Sequence, residues 1–304
     1  MADPNSPDGP KGIYVLPEAD ISGIKQAHLD LAYADASPFQ KLDLYLPDAP
    51  PPATGYPLIV FVHGGAWMMC DKRDVQLVPA LSALERGYAV ASLNYRLSSE
   101  AIFPAQIVDV KAAVRWLKGH AGEYRLDSNR VAAWGGSAGG HLASLLGTSA
   151  NIPELEDFAQ GFREEKASVQ AVVAWFAPTN FLMMDVYLRE TGAGIADHTT
   201  PDSPESKLLG RFIADCPDDV KKANPETWIR ADCPPFFLQH GKIDPIVPYQ
   251  HSVEFARKIN EIAGPDRAQV MLLDDALHAS PHFETRESLK HVLDFLDSTL
   301  TRPA

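Results

Sequence analysis

From residue 41 onward, short unbroken apolar runs alternate with longer segments whose apolar positions recur every three to four residues. Lys41–Leu46 (KLDLYL) alternates with period two and predicts an antiparallel strand at or near a sheet edge. Residues 58–62 (LIVFV) are apolar without a break, as a strand covered on both faces must be. A helix over 74–86, stopped by Gly87, and a strand over 88–93 follow. Pro104 stands where the next helix begins, and Ile107, Val110, Val114 and Leu117 share one face before Gly119 ends it. The remaining strands are expected over 130–134, 169–176, 235–239 and 268–273, with helices leaving residue 138 and spanning 250–262 and 286–300.

Strand–helix alternation of this kind predicts an α/β fold, a mostly parallel sheet with helices on both faces, as a single domain over 1–304. Residues 1–40 form an N-terminal extension, and a proline-rich linker covers 47–57. Residues 180–231 carry Gly192, Gly194, Pro201, Pro204, Pro217 and Pro225 without periodicity, and are expected to form a partly helical lid insert over the carboxyl edge of the sheet.

Composition narrows the partners. The 304 residues are 45% hydrophobic and 22% charged, with a net charge of −13 from 27 basic and 40 acidic side chains. Such a chain, without a basic run, is a poor fit to nucleic acid or anionic membranes and favours a neutral small-molecule substrate. No 18-residue apolar stretch occurs, and residues 1–12 lack the basic and apolar regions of a secretory leader. The expectation is therefore a soluble, cytoplasmic chain unless a leader has been removed, as a monomer or homodimer. Of three cysteines, Cys216 and Cys233 either pair across a loop or, as expected here, stay reduced with Cys70.

Chemistry concentrates at strand ends. The strand 130–134 runs into Gly135-Gly136-Ser137-Ala138-Gly139-Gly140, a G-x-S-x-G elbow that thrusts a serine clear of a tight strand–helix turn. The new helix points its positive end and free N–H groups, Ala138 first, at any oxyanion formed there. Upstream, the strand 58–62 ends in His63-Gly64-Gly65-Ala66-Trp67, whose glycines leave backbone donors accessible. Downstream, Asp244 in the loop after 235–239 is either the acid that orients an imidazole or an Asx-turn residue ahead of Pro245. Past the last strand stand two candidate bases, His278 and His282. Their spacing of four also suits a metal pair, but Ser280-Pro281 breaks the helix that would present it and no third ligand is evident. His63, His141, His240, Asp74 and Asp109 are expected to be structural.

The ordered motifs HGGAW, NYRL (Asn94–Leu97), GGSAGGH and HGKIDPIVP resemble the α/β-hydrolase carboxylesterases related to hormone-sensitive lipase. Within that group the chain looks closest to the BD-FAE-like bacterial feruloyl and acetylxylan esterases, over about residues 41–300. The resemblance implies an α/β-hydrolase fold and a cofactor-free serine carboxylesterase with Ser137 as nucleophile, Asp244 as acid and His278 as base. It implies an oxyanion hole from Gly65, Ala66 and Ala138 and a small-molecule or polysaccharide-linked ester as substrate, with Trp67, a departure from the family form, and Met68 expected to narrow the pocket. The chain departs from the HGGG form at Ala66 and carries Leu277 where a small residue usually precedes the histidine. An arylformamidase, a peptidase or a catalytically silent binding module on the same scaffold are the competing expectations.

Overall fold

A computed structural model of the chain describes residues 16–300. Eight strands form one sheet in the order β1-β2-β4-β3-β5-β6-β7-β8. They are β1 Gln26–Ala32, β2 Lys41–Leu46, β3 Tyr56–Val62, β4 Ala89–Leu93, β5 Leu126–Gly136, β6 Ala171–Trp175, β7 Phe236–Gly241 and β8 Ala268–Leu273. β1 and β2 run antiparallel to their neighbours, and every pairing from β4 to β8 is parallel.

Alternate side chains of the central strands feed two cores. Leu58, Val60 and Val62 of β3 face the same core as helices Ala105–Gly119, Ala138–Thr148 and Gln250–Ala263. Ile59 and Phe61 face the opposite one, closed by Arg286–Leu300. All seven residues of β3 are buried, which is why its sequence shows no alternation. Among the described residues, no helix is long and apolar enough to cross a membrane.

Two features depart from the sequence expectation. The helix expected over 74–86 is instead a 3-10 turn Val75–Leu77, an α-helical turn Val78–Leu81 and a second 3-10 turn Ser82–Arg86. Pro79, lacking an N–H, restarts the winding there, and Gly87 ends it at φ 83°. Strand β1, inside the extension 1–40, was not expected at all. Its burial is irregular, a register shift falls between His28 and Leu31, and Asp30 is left-handed at φ 57°. What fastens it is charge: Lys72 Nζ lies 3.0 Å from Asp30 and 3.1 Å from the fully buried Asp43, and Arg73 bonds both carboxylates.

The segment 180–231 holds helices Met184–Thr191, Pro204–Leu209 and Pro217–Ala223. None exceeds eight residues, too few turns for a 3.6-residue period to be read, and two begin on proline. Phe181, Leu208, Leu209, Ile213, Val220 and Ala223 of this segment are packed into the main core. Cys216 and Cys233 are separate buried thiols.

Candidate active site

β5 ends at Gly136 and the next helix starts at Ala138, so the whole reversal falls on Ser137. Its φ of 55° and ψ of −124° are strained for any residue with a Cβ. Two hydrogen bonds hold the strain in place: Ser137 N–H donates to Trp175 O (2.9 Å), and Ser137 O accepts from His141 N–H (2.9 Å). The flanking glycines are steric requirements. A Cβ on Gly135 would stand 2.4 Å from the carbonyl carbon of Gly139, and one on Gly139 would stand 2.0 Å from Val62 O. The elbow is thus wedged against the end of β3. Gly139→Ala is expected to cost about 3 kcal/mol of stability, read as a lower denaturation midpoint at unchanged slope; a midpoint equal to wild type would contradict the wedge.

Ser137 Oγ lies 3.0 Å from His278 Nε2, and His278 Nδ1 donates to Asp244 Oδ2 over 2.8 Å. Asp244 is 1% exposed. Its other oxygen, Oδ1, accepts from the N–H groups of Ile246 and Val247 at 2.9 Å each. Asp244 thus pairs with His278 through one oxygen and closes a turn through the other. Burial pushes this carboxyl up, but the His278 charge and the hydrogen bonds from His240 and His278 outweigh it and hold the group well below the ordinary carboxylate range. His240 is locked in turn by Val247 O on Nε2 and Ser252 Oγ on Nδ1, both at 2.7 Å. Gly241 lets the loop carrying His278 close over β7, since a Cβ there would meet Ala276 O at 2.1 Å. His282 is exposed, and its Nδ1 pairs with Ser280 Oγ instead.

Beside the serine, the turn after β3 presents Gly65 and Ala66, both at positive φ (105° and 53°). The ideal Cβ position of Gly64 is 3.4 Å from Ser137 Cβ, so turn and elbow abut. Among the described residues, the N–H groups of Gly65, Ala66 and Ala138 have no acceptor. A trans peptide sets its N–H opposite its C=O, so whatever grips the carbonyl aims the amide. Gly64 O accepts from His63 Nδ1 (2.7 Å), Gly65 O from Met68 N–H and Met69 N–H (2.9 and 3.1 Å), and Ser137 O from His141 N–H. All three free amides thus belong to peptides pinned at the far end. His63 itself stacks on Tyr95 at 4.5 Å, and burial pulls its pKa down, keeping the ring neutral.

Trp67, expected to wall the pocket, is 2% exposed and donates its indole N–H to His141 Nδ1 (3.2 Å). It packs edge-on against His141 and Phe181, so its bulk anchors the turn from inside the core. Met68 is half-buried. His141 completes this support by donating from Nε2 to Ala223 O (2.8 Å), and burial lowers its pKa to about 4. Asp74 and Asp109 are buried: Asp74 caps the turn at Val75, and Asp109 pairs with Arg96.

One contact escaped the sequence reading. Phe176, just past β6 at φ 38°, sets its ring edge-on to His278 at 4.7 Å and against Phe283 at 4.6 Å. A Cβ on Gly136 would meet the same ring at 2.9 Å. In the sequence Phe176 reads as the last residue of the strand expected over 169–176, and nothing local marks its contact with His278. The segment 180–231 also reaches the acid loop, where a Cβ on Gly194 would overlap Pro245 O at 1.8 Å.

Known proteins share this architecture. A truncated form of a carbohydrate esterase from gut microbiota superposes with a TM-score of 0.80 at 27% identity, covering 94% of this chain and all of that one. The bifunctional GH43-CE protein of Bacteroides eggerthii gives a TM-score of 0.78 at 32% identity, over 90% of this chain and 35% of that chain. In sequence, the chain is 32% identical over 236 residues to the probable carboxylic ester hydrolase LipM of Mycobacterium tuberculosis, covering 77% of this chain. It spans only about half the length of the curated relatives it matches, 52% of LipM and 61% of esterase LipQ from the same organism. The sheet order and these likenesses make the fold that of the α/β-hydrolases. The BD-FAE family profile matches residues 42–259, more than two thirds of the sequence, and the chain belongs to the BD-FAE family.

Proposed function

We propose that the protein is a serine carboxylesterase that removes short acyl or aryl groups, such as acetyl or feruloyl, from a carbohydrate-linked ester. The observation that carries this reading is the linear hydrogen-bonded set Ser137–His278–Asp244, at 3.0 and 2.8 Å, beside three unpartnered, pinned amides. Ser137 Oγ attacks the ester carbonyl while its proton passes to His278 Nε2, and Asp244 stabilises the imidazolium. The N–H groups of Gly65, Ala66 and Ala138 receive the oxyanion. Collapse expels the alcohol with the proton from His278. Water then attacks the acyl carbon as its proton passes to His278 Nε2, and collapse releases the acid while that proton returns to Ser137 Oγ. Every atom and proton is accounted for without a cofactor.

The carbohydrate side of the proposal rests on the gut carbohydrate esterase and the bifunctional GH43-CE protein among the similar structures. A rate panel of p-nitrophenyl acetate, p-nitrophenyl decanoate, methyl ferulate, acetylated xylan and an N-formyl arylamine tests it. Acetyl or feruloyl esters are expected to be turned over at least tenfold faster than the decanoate. A formamide cleaved faster than every ester would replace the assignment with an arylformamidase. Absence of fluorophosphonate labelling at Ser137 would point to a silent scaffold instead.

A further inference from the structure

We infer that Gln76, carried on the 3-10 turn after the Gly-Gly loop, is a positioning residue for the amides that receive the oxyanion, and that Asp74 holds it in register. The inference rests on the esterase reading and adds a residue to its machinery.

The peptide between His63 and Gly64 is the hinge from which the turn projects. Its carbonyl, His63 O, accepts from Tyr95 OH (3.1 Å), and its amide, Gly64 N–H, donates to Gln76 Oε1 (3.0 Å). The next peptide, whose carbonyl is gripped by His63 Nδ1, carries the free N–H of Gly65. The two peptides share the Gly64 Cα, so the bond from Gly64 N–H to Gln76 fixes the point from which the Gly65 amide projects. Gln76 is the only side chain on the amide side of that hinge among the described hydrogen bonds.

The Gln76 amide cannot be flipped. Nε2 donates to Asp74 Oδ2 (3.1 Å), so Oε1 must face Gly64. Asp74 is itself fixed: Oδ1 accepts from Gln76 N–H (2.9 Å) and Oδ2 from Asp71 N–H (3.2 Å). The carboxylate also polarises the amide and makes Oε1 a stronger acceptor. Asp74 is 4% exposed, and its segment is tied down from outside by Val75 N–H to Pro17 O (2.9 Å) and Ala19 N–H to Arg73 O (2.7 Å). A Cβ on Gly64 would stand 2.8 Å from Gln76 Oε1, so the first glycine of the pair makes room for this contact. Gln76 consumes the Gly64 amide and so assigns the oxyanion to the amides that follow.

The test measures kcat and KM for p-nitrophenyl acetate, with kcat expressed per serine titrated by fluorophosphonate. Gln76→Leu is expected to lower kcat about 10- to 30-fold with KM within twofold, as misaimed donors act only on the transition state. Gln76→Glu, which sets two carboxylates together, should lose about tenfold. The exchange Asp74→Asn/Gln76→Glu restores one donor and one acceptor between the two side chains, gives up the bond from Asp71 N–H, and should recover part of that loss. A kcat per titrated site within twofold of wild type in Gln76→Leu, or a double variant no faster than Gln76→Glu, would overturn the inference. Should Gln76→Leu not fold, the comparison of Gln76→Glu with the double variant decides. A wild-type protein that neither titrates nor turns over would instead remove the esterase reading beneath it.

Discussion

Ser137→Ala is expected to lower kcat for p-nitrophenyl acetate about 10⁵-fold, leaving only what bound substrate and aimed amides accomplish with water. Folding should be untouched by that change. The Oγ makes one hydrogen bond, to His278, and alanine at φ 55° is as strained as serine. Ser137→Gly separates strain from chemistry. Glycine occupies this backbone region freely, so the variant should be as inactive as Ser137→Ala yet about 1 kcal/mol more stable than it. Thermal unfolding beside the rate measurement checks both halves. If either variant kept more than about 1% of wild-type kcat, Ser137 would not be the nucleophile, and the G-x-S-x-G turn would be scaffold only.

The sequence and the structure agree where the decisive information is local. Apolar runs ending in HGG, GGSAGG and HGKID place the HGG turn, Ser137 and Asp244 after β3, β5 and β7 of a parallel sheet, and parallel strands deliver their ends to one edge. Choosing His278 over His282 needed the family resemblance, since both follow β8 in the sequence. Geometry separates them by a four-residue difference that turns one ring into the site and the other to solvent. Trp67 was misjudged because nothing local reveals which way a turn residue faces. Its ring is captured by His141 and Phe181, 74 residues away in one case. Phe176 and Gln76 were invisible for the same reason, as their meaning lies in the His278 ring and the Gly64 amide that folding brings to them. β1 buries only Ala27 and Leu31 in part, so its place rests on its pairing with β2 and on the Asp30 contacts with Lys72 and Arg73.

Asp244→Asn is expected to cost about 10⁴-fold in kcat/KM for p-nitrophenyl acetate, and the reason lies in the oxygen that does not touch the histidine. Ile246 and Val247 both donate N–H bonds to Oδ1, so an asparagine must place its carbonyl oxygen there. Its NH₂ then faces His278 Nδ1, which can satisfy it only as an acceptor. The proton moves to Nε2, which now points a donor at Ser137 Oγ and cannot take the serine's proton. Shape and packing are kept while the base is set in the wrong tautomer, so Asn should be at least as damaging as Ala. His282→Ala, by contrast, should stay within about twofold of wild type, while His278→Ala should fall about 10⁴-fold or more. Stability follows the same carboxylate. The folded state holds Asp244 below its unfolded pKa of about 4, so its contribution is complete above that pH and is lost as pH falls toward the folded value. The stability gap between wild type and Asp244→Asn should therefore narrow below about pH 4. An Asn variant within 100-fold of wild type, or a gap that widens on acidification, would mean that Asp244 serves the Asx turn alone.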